Sequence, residues 1–75
     1  MNKKELGKII HERRTKIGKT QKETAEYLGT SEQAYQKYEY GTNEPSAIKL
    51  IKIAEYFNVS IDYLVGRTDN PEVNR

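Results

Sequence analysis

Residues 21–39 read QKETAEYLGTSEQAYQKYE, and this stretch predicts two short helices that meet at a tight turn. Small and apolar residues recur at helical spacing along Gln21–Leu28 and again along Glu32–Tyr40. Gly29 separates the two runs, and glycine takes a positive φ without steric cost. We therefore expect two helices that cross closely, with their apolar sides together and the chain turning sharply at Gly29.

Capping residues mark where these helices begin. Thr20 and Glu23 have the capping-box spacing, in which each side chain accepts a hydrogen bond from the other residue's backbone amide. Ser31 precedes the second helix and is a favoured N-cap residue. The same signal predicts that two more helices begin after Ser46 and Ser60.

Three further helices are predicted around this pair. The first covers about Lys4 to Lys16, the fourth follows Ser46 and ends at Asn58, and a short fifth ends at Gly66. The apolar positions expected in the core are Leu6, Ile9, Ile10 and Ile17 around the first helix, and Ala47, Leu50, Ile51, Ile53, Ala54 and Phe57 in the fourth. The pattern predicts an all-α, compact five-helix domain over residues 1–66 and a flexible C-terminal tail over residues 67–75.

The composition indicates one small soluble domain. The chain has 75 residues, no cysteine and a formal net charge of +2. A chain of this length buries only about 60% of the surface that its unfolded form exposes, so association with a second copy would add stability. Without cysteine there is neither a disulfide framework nor a thiolate metal site. No apolar run predicts a signal peptide or a membrane span, so we expect a cytoplasmic location and no membrane partner.

The charges are unevenly distributed. Residues 1–22 hold eight Lys and Arg against two Glu, whereas residues 23–75 hold five Lys and Arg against nine Asp and Glu. The basic first helix is thus a candidate edge for binding phosphate groups. A solvated helix face that serves only solubility is the alternative interpretation.

The second helix of the central pair has a polar outer face. A helix reads DNA by placing short polar side chains near its N-terminus against base edges in the major groove. Gln can pair with adenine, Lys can donate to guanine and Glu can accept from cytosine. The candidate base-contacting residues are Glu32, Gln33, Gln36 and Lys37. Taken alone, the same residues fit the solvated side of any amphipathic helix.

Other residues are candidates for phosphate binding or for structural support. Gln21 opens a helix, where unpaired amides and the helix dipole favour an anion. Tyr40 ends the next helix and is a candidate phosphate contact, although most of the tyrosines are expected to serve packing. Arg14 and Glu39 each lie beside an apolar stripe, and we expect them to form an ion pair between helices.

The segment from Ile10 to Val65 resembles the lambda-repressor-like helix-turn-helix domain, also called Cro/CI-type or XRE. Residues that occur where this family expects them are Arg14, Gly18, Thr20, Gln21, Ala25, Leu28, Gly29, Ser31, Glu39, Gly41, Pro45, Leu50, Ala54, Val59, Ser60 and Leu64. Each match is weak alone, but their order and spacing together are specific.

The resemblance implies a DNA-binding domain that works as a homodimer on a pseudo-palindromic operator. It places Glu32, Gln33 and Lys37 against bases and makes the Arg14–Glu39 pair structural. The implied phosphate contacts are Gln21 and the backbone amides of Thr42 and Asn43, to which we add Ser31 and Tyr40 as candidates. We further assign the dimer surface to the fifth helix, at Ile61, Tyr63 and Val65.

The function expected from this resemblance is sequence-specific regulation of transcription, as a repressor of phage or mobile-element type that binds double-stranded DNA. The alternative is an antitoxin or partner-controlled regulator that binds both DNA and a second protein. A protein-interaction module of the same shape without DNA binding is a third hypothesis. No motif indicates an enzyme, a cofactor or a metal site, and spacing assigns no acid partner to His11, which we expect at the surface.

Overall fold

The computed structural model describes residues 2–73 and contains five helices in that range. In chain order they are α1 (Lys3–Lys16), α2 (Gln21–Leu28), α3 (Glu32–Tyr40), α4 (Ala47–Phe57) and α5 (Ile61–Leu64). No strand occurs among the described residues. The predicted all-α, five-helix fold is therefore confirmed.

The predicted caps set the ends of the central pair. Thr20 Oγ1 accepts from the Glu23 amide at 3.0 Å, and Glu23 Oε1 accepts from the Thr20 amide at 2.9 Å. Gly29 adopts φ +70° and ends α2, so the chain reverses without strain on a Cβ atom. Ser31 Oγ then accepts from the Ala34 amide at 3.1 Å and begins α3.

The five helices surround one core, in which α3 packs against α1 and α2 while α4 and α5 close the other side. Its fully buried side chains include Ile10, Leu28, Tyr35, Ile53 and Leu64. These residues come from all five helices, so each helix contributes an apolar side chain to one shared core. Burial of this apolar surface holds α3 with its polar side outward.

Two glycines allow close backbone approaches at one end of α1. A Cβ on Gly7 would lie 2.5 Å from the Tyr38 carbonyl oxygen. The helices α1 and α3 therefore approach more closely than they could with any residue other than glycine at position 7. Gly41 has φ +78°, and a Cβ there would lie 2.8 Å from the Lys4 Cα. Backbone contact between α1 and the second half of α3 therefore depends on these two positions.

The expected core residues are partly corrected. Ile17, Ala47 and Ile51 are exposed rather than buried. Ile17 follows the last residue of α1, where the chain turns away, and Ala47 opens α4. Ile51 lies on the outer side of α4, whose buried residues are Ile53, Ala54 and Phe57, because an amphipathic helix buries only one stripe.

The tail has no helix between residues 67 and 73, but it contacts the domain. The Ser60 amide donates to the Pro71 carbonyl oxygen at 3.0 Å, and Val73 lies beside Ile51 and Ile61. The tail therefore runs back along the groove between α4 and α5. None of the helices within residues 2–73 has the length and apolar content needed to cross a membrane.

Candidate nucleic-acid interface

The outer face of α3 is polar and open to solvent. Glu32, Gln33 and Lys37 are exposed, and Gln36 is half-buried. Tyr35 and Tyr38 point inward and are buried in the core. A helix with its aromatic residues anchored inside and its Gln and Lys residues outside has the layout that major-groove reading requires.

A single carboxylate connects this helix to its neighbours. Glu39 leaves α3 toward the interior, where its side chain keeps only 3% of its accessible surface. Arg14 Nε donates to Glu39 Oε2 at 2.6 Å, and Arg14 Nη2 donates to Oε1 at 3.2 Å. The structure thus brings together the two residues expected to pair, in the two-bond geometry that arginine offers a carboxylate.

Three more donors complete the surroundings of Glu39. The Tyr35 hydroxyl donates to Oε2, and His11 Nδ1 lies 3.0 Å from Oε1, to which it donates in the tautomer that is protonated at Nδ1. Gln21 Nε2 also donates to Oε1 at 3.1 Å. His11 thus has an acid partner after all, because the packing of α1 on α3 brings together residues 28 positions apart.

These contacts keep Glu39 ionised. Burial by itself raises the pKa of the Glu39 carboxyl, but the donors from Arg14, Tyr35, His11 and Gln21 outweigh it and lower the pKa to about 2. The hydrogen bond to Glu39 also raises the pKa of the Arg14 guanidinium. Glu39 is therefore an ionised carboxylate at neutral pH, paired with the Arg14 cation and surrounded by donors.

Acid should weaken the fold through this residue. Because the folded-state pKa of Glu39 is lowered to about 2 from 4.5, its stabilisation is present above pH 4.5 and is lost as the pH falls toward 2. We expect a loss of roughly 1–3 kcal/mol in the free energy of unfolding. Urea unfolding of the wild type and Glu39→Gln at pH 6, 4 and 3 would measure it. The difference between the two proteins should shrink with falling pH, and a constant difference would contradict the assignment.

Gln21 connects this cluster to the outer face of α3. Its Nε2 faces Glu39, and its Oε1 accepts from Gln36 Nε2 at 3.0 Å. The Gln21 side chain, expected at a phosphate, thus bridges two residues of α3 instead of projecting freely. Its backbone amide stands in the first turn of α2, where the helix dipole still favours a phosphate.

The remaining phosphate candidates differ in what they can offer. The Ser31 oxygen accepts from Ala34, but its hydroxyl proton remains available to donate. Tyr40 has 68% of its surface exposed. The expectation for the Thr42 and Asn43 amides is corrected, because both donate to the Lys37 carbonyl oxygen, at 3.0 and 3.3 Å, to end α3. The Thr42 hydroxyl also donates to the Lys37 oxygen, at 3.3 Å, so the exposed Asn43 side chain is the donor that this turn can still offer to DNA.

A cleft beside α3 adds residues that sequence reasoning did not identify. The cleft has a volume of about 460 Å³ and is lined by Lys8, His11, Glu12, Gln21, Glu39 and Tyr40. Lys8 is exposed on the side of α1 that faces Gln21 and Tyr40 across this cleft. The excess of basic residues in the first helix indicated this edge only in general. The packing of α1 on α3 is what singles out Lys8 among those basic residues as a lining residue of the cleft.

The residues assigned to a dimer surface do not form one exposed patch. Ile61 is exposed, whereas Val65 is half-buried and Tyr63 lies under the Arg13 guanidinium, 5.0 Å from its ring centre. Ile61 instead shares a groove with Ile51 and Val73. The large exposed apolar side chains on this side of the domain are Ile48, Ile51, Ile61 and Val73.

Comparison with known proteins identifies similar sequences and a similar structure. A family profile described as helix-turn-helix matches residues 10–64. The chain is 39% identical over 69 residues to the HTH-type transcriptional regulator ImmR of Bacillus subtilis (strain 168), covering 92% of this chain and 54% of ImmR. It is 44% identical over 54 residues to the cryptic phage CTXphi transcriptional repressor RstR of Vibrio cholerae, covering 72% of this chain and 48% of RstR. The chain thus spans about half the length of these relatives.

The fold also matches a solved structure. The clp gene regulator ClgR from C. glutamicum superposes with a TM-score of 0.77, 23% identity and coverage of 87% of this chain and 84% of that one. At this identity the likeness concerns the fold alone. The family profile, the matching relatives and the five-helix architecture agree with the resemblance found in the sequence. The chain belongs to the XRE-type helix-turn-helix family of DNA-binding transcriptional regulators.

Proposed function

We propose that this chain is a sequence-specific repressor of phage or mobile-element type that binds a pseudo-palindromic operator as a homodimer. The observation that carries the proposal is the outer face of α3, where Gln33 and Lys37 are exposed while Tyr35 anchors the helix inside. The relative RstR is named a phage repressor, which supports the repressor assignment. This chain matches only about half of RstR, so the likeness by itself does not carry repression over to this chain, and repression is part of what we propose.

In this proposal, α3 reads bases and its surroundings bind phosphates. Glu32, Gln33, Gln36 and Lys37 would face base edges. The contacts to the sugar-phosphate backbone on either side would come from the Gln21 backbone amide, the Ser31 hydroxyl, Tyr40 and the Asn43 side chain. Lys8 would add a cationic contact from α1, since it lies at the cleft that Gln21 and Tyr40 also line. Such contacts orient a protein on the duplex without reading its sequence.

The homodimer would form through the apolar groove between α4 and α5. Ile51 and Ile61 lie together there and are exposed in the monomer, so a second copy could bury them. A twofold dimer would place its two α3 helices in successive major grooves, ~34 Å apart. Sedimentation velocity with and without operator DNA would test this arrangement.

The function is tested by selecting bound sites from a random pool of duplexes. We expect an enriched sequence made of two inverted half-sites. Fluorescence anisotropy should then show tighter binding to that sequence than to random duplex at the same salt concentration. Absence of binding to any duplex at low salt and tens of micromolar protein would overturn the proposed function.

The two kinds of contact should respond differently to mutation. Gln33→Ala is expected to reduce the preference at one base pair by about 1–3 kcal/mol. Lys8→Ala is expected to weaken binding to all duplexes about equally and to lower the salt-dependence slope by about 1. Both residues are exposed on helices, so the folded state should be retained, which circular dichroism would verify. Identical effects of the two changes on the selected and random duplexes would contradict this division.

A further inference from the structure

The side chains of Glu39, Gln21 and Gln36 are connected by two consecutive hydrogen bonds, and the donor and acceptor of each bond can be assigned. Gln21 Nε2 lies 3.1 Å from Glu39 Oε1, and Gln36 Nε2 lies 3.0 Å from Gln21 Oε1. Of these three side chains, Glu39 is buried and Gln36 is at the outer face of α3. A primary amide has one acceptor end and one donor end, so the orientation of each amide constrains the next.

The direction follows from the charge of Glu39. An ionised carboxylate can only accept hydrogen bonds, so Gln21 must turn its NH₂ group inward. That leaves the Gln21 oxygen facing α3, where it can only accept, and Gln36 must turn its own NH₂ group toward it. Arg14, Tyr35 and His11 also donate to Glu39, so the carboxylate has no proton to give.

The oxygen of Gln36 is then the end of the amide that faces outward. Among residues 2–73, no buried side-chain nitrogen or oxygen lacks a hydrogen-bond partner. Gln36 Oε1 has no partner within that range and is therefore not fully buried, although the residue as a whole is half-buried. In the major groove, adenine and cytosine present an amino donor to such an acceptor, whereas guanine O6 and thymine O4 are themselves acceptors.

We propose that Glu39, acting through Gln21, orients the Gln36 amide so that it selects a base with an amino group, adenine or cytosine, at one position of the operator. Gln21 is thus a positioning residue for sequence preference, in addition to any phosphate contact of its backbone. The inference rests on the proposed function, because it concerns the reading of DNA by α3. It also gives the Gln21 side chain a different role from the phosphate contact expected from sequence.

The test compares binding to four duplexes that differ at one base pair of the selected operator. Gln36→Ala locates that base pair, since its preference there should fall by about tenfold. Gln21→Met keeps the side-chain length but removes both hydrogen-bonding ends, so Gln36 can turn freely. The preference of the Gln21→Met protein at the base pair located with Gln36→Ala should fall similarly, while its preferences elsewhere in the operator stay unchanged.

Gln21→Lys gives the sharper result. An ammonium can donate to Glu39 and to Gln36 but cannot accept, so the Gln36 oxygen should turn inward and its NH₂ group outward. Guanine and thymine should then bind better than cytosine, which presents only an amino donor, whereas adenine, which also has the N7 acceptor, should be tolerated in both proteins. Ratios of the dissociation constants for the four duplexes cancel any uniform gain in affinity from the added charge. Gln33→Ala serves as a control that affects a different base pair.

The outcomes separate the inference from the function beneath it. If the wild type binds no duplex, the proposed function fails. If it binds selectively but Gln36→Ala changes no preference, Gln36 reads no base and the inference is overturned while the function stands. If Gln36→Ala acts at one pair and Gln21→Met does not, the role of Gln21 is overturned. A purely structural role for Gln21 would weaken all four duplexes equally.

Discussion

Gly7→Ala is expected to lower the free energy of unfolding by about 3 kcal/mol or more, at or beyond the upper end of the range for overpacked cores. The new Cβ would lie 2.5 Å from the Tyr38 oxygen and 2.6 Å from the Glu39 oxygen. Both obstacles are backbone atoms of a helix, so no side-chain rotation relieves the contact. Alanine favours a helix by about 1 kcal/mol over glycine, so a loss can only come from forcing α1 and α3 apart.

Thermal and urea unfolding would measure this effect. For a domain of this size, 3 kcal/mol corresponds to a decrease in Tm of roughly 12–24 °C. Gly18→Ala is the matched control, because Gly18 has φ +75° but a Cβ added there would meet nothing within 4 Å. That change should cost about 1–2 kcal/mol through backbone strain alone. A Gly7→Ala protein as stable as the wild type would show that α1 does not approach α3 this closely.

Glu39→Ala should have an effect of similar size for an electrostatic reason. The substitution leaves the Arg14 guanidinium without its carboxylate and removes the acceptor of the Tyr35 hydroxyl. Breaking a buried pair by removing one partner typically costs about 3–5 kcal/mol, since the remaining charge stays desolvated. We expect Arg14→Ala to cost about as much, because it leaves the carboxylate buried without its strongest donor.

The double variant Arg14→Ala/Glu39→Ala decides whether the two residues interact directly. We expect it to lose less stability than the sum of the single variants, by about 0.5–3 kcal/mol in urea unfolding at pH 7. Glu12→Ala is a suitable control on α1, since Glu12 is exposed there. Additive losses from Arg14→Ala and Glu39→Ala would rule out a direct pair.

Local signals explain why so much of the fold could be predicted. Thr20 and Ser31 accept hydrogen bonds from backbone amides three residues further on, and the Gly29 amide donates to carbonyl oxygens three and four residues back. Their roles therefore follow from short-range geometry. The alternation of apolar and polar positions likewise depends on the pitch of a single helix. The bounds of α2 and α3 agree with prediction for this reason.

The errors arose where a residue's environment depends on its wider surroundings. Ile51 has the spacing of a core residue, but no helix covers its side of α4 among the described residues. The amides of Thr42 and Asn43 were expected to be available to phosphate, yet the turn at Gly41 directs them to the Lys37 carbonyl oxygen. Periodicity identifies a stripe on one helix but says nothing about how much of it a neighbouring helix will cover.

Sequence reasoning alone predicts five helices, their caps and the polar outer side of α3, because these depend on interactions between residues a few positions apart. The packing of the helices was needed to show that Gly7 sits against the α3 backbone and that His11 and Gln21 join the predicted Arg14 at Glu39. These contacts join residues from three helices, separated by 18 to 32 positions along the chain. Which of many polar groups meet in space is set by how closely the helices pack, and that closeness results from the buried core as a whole.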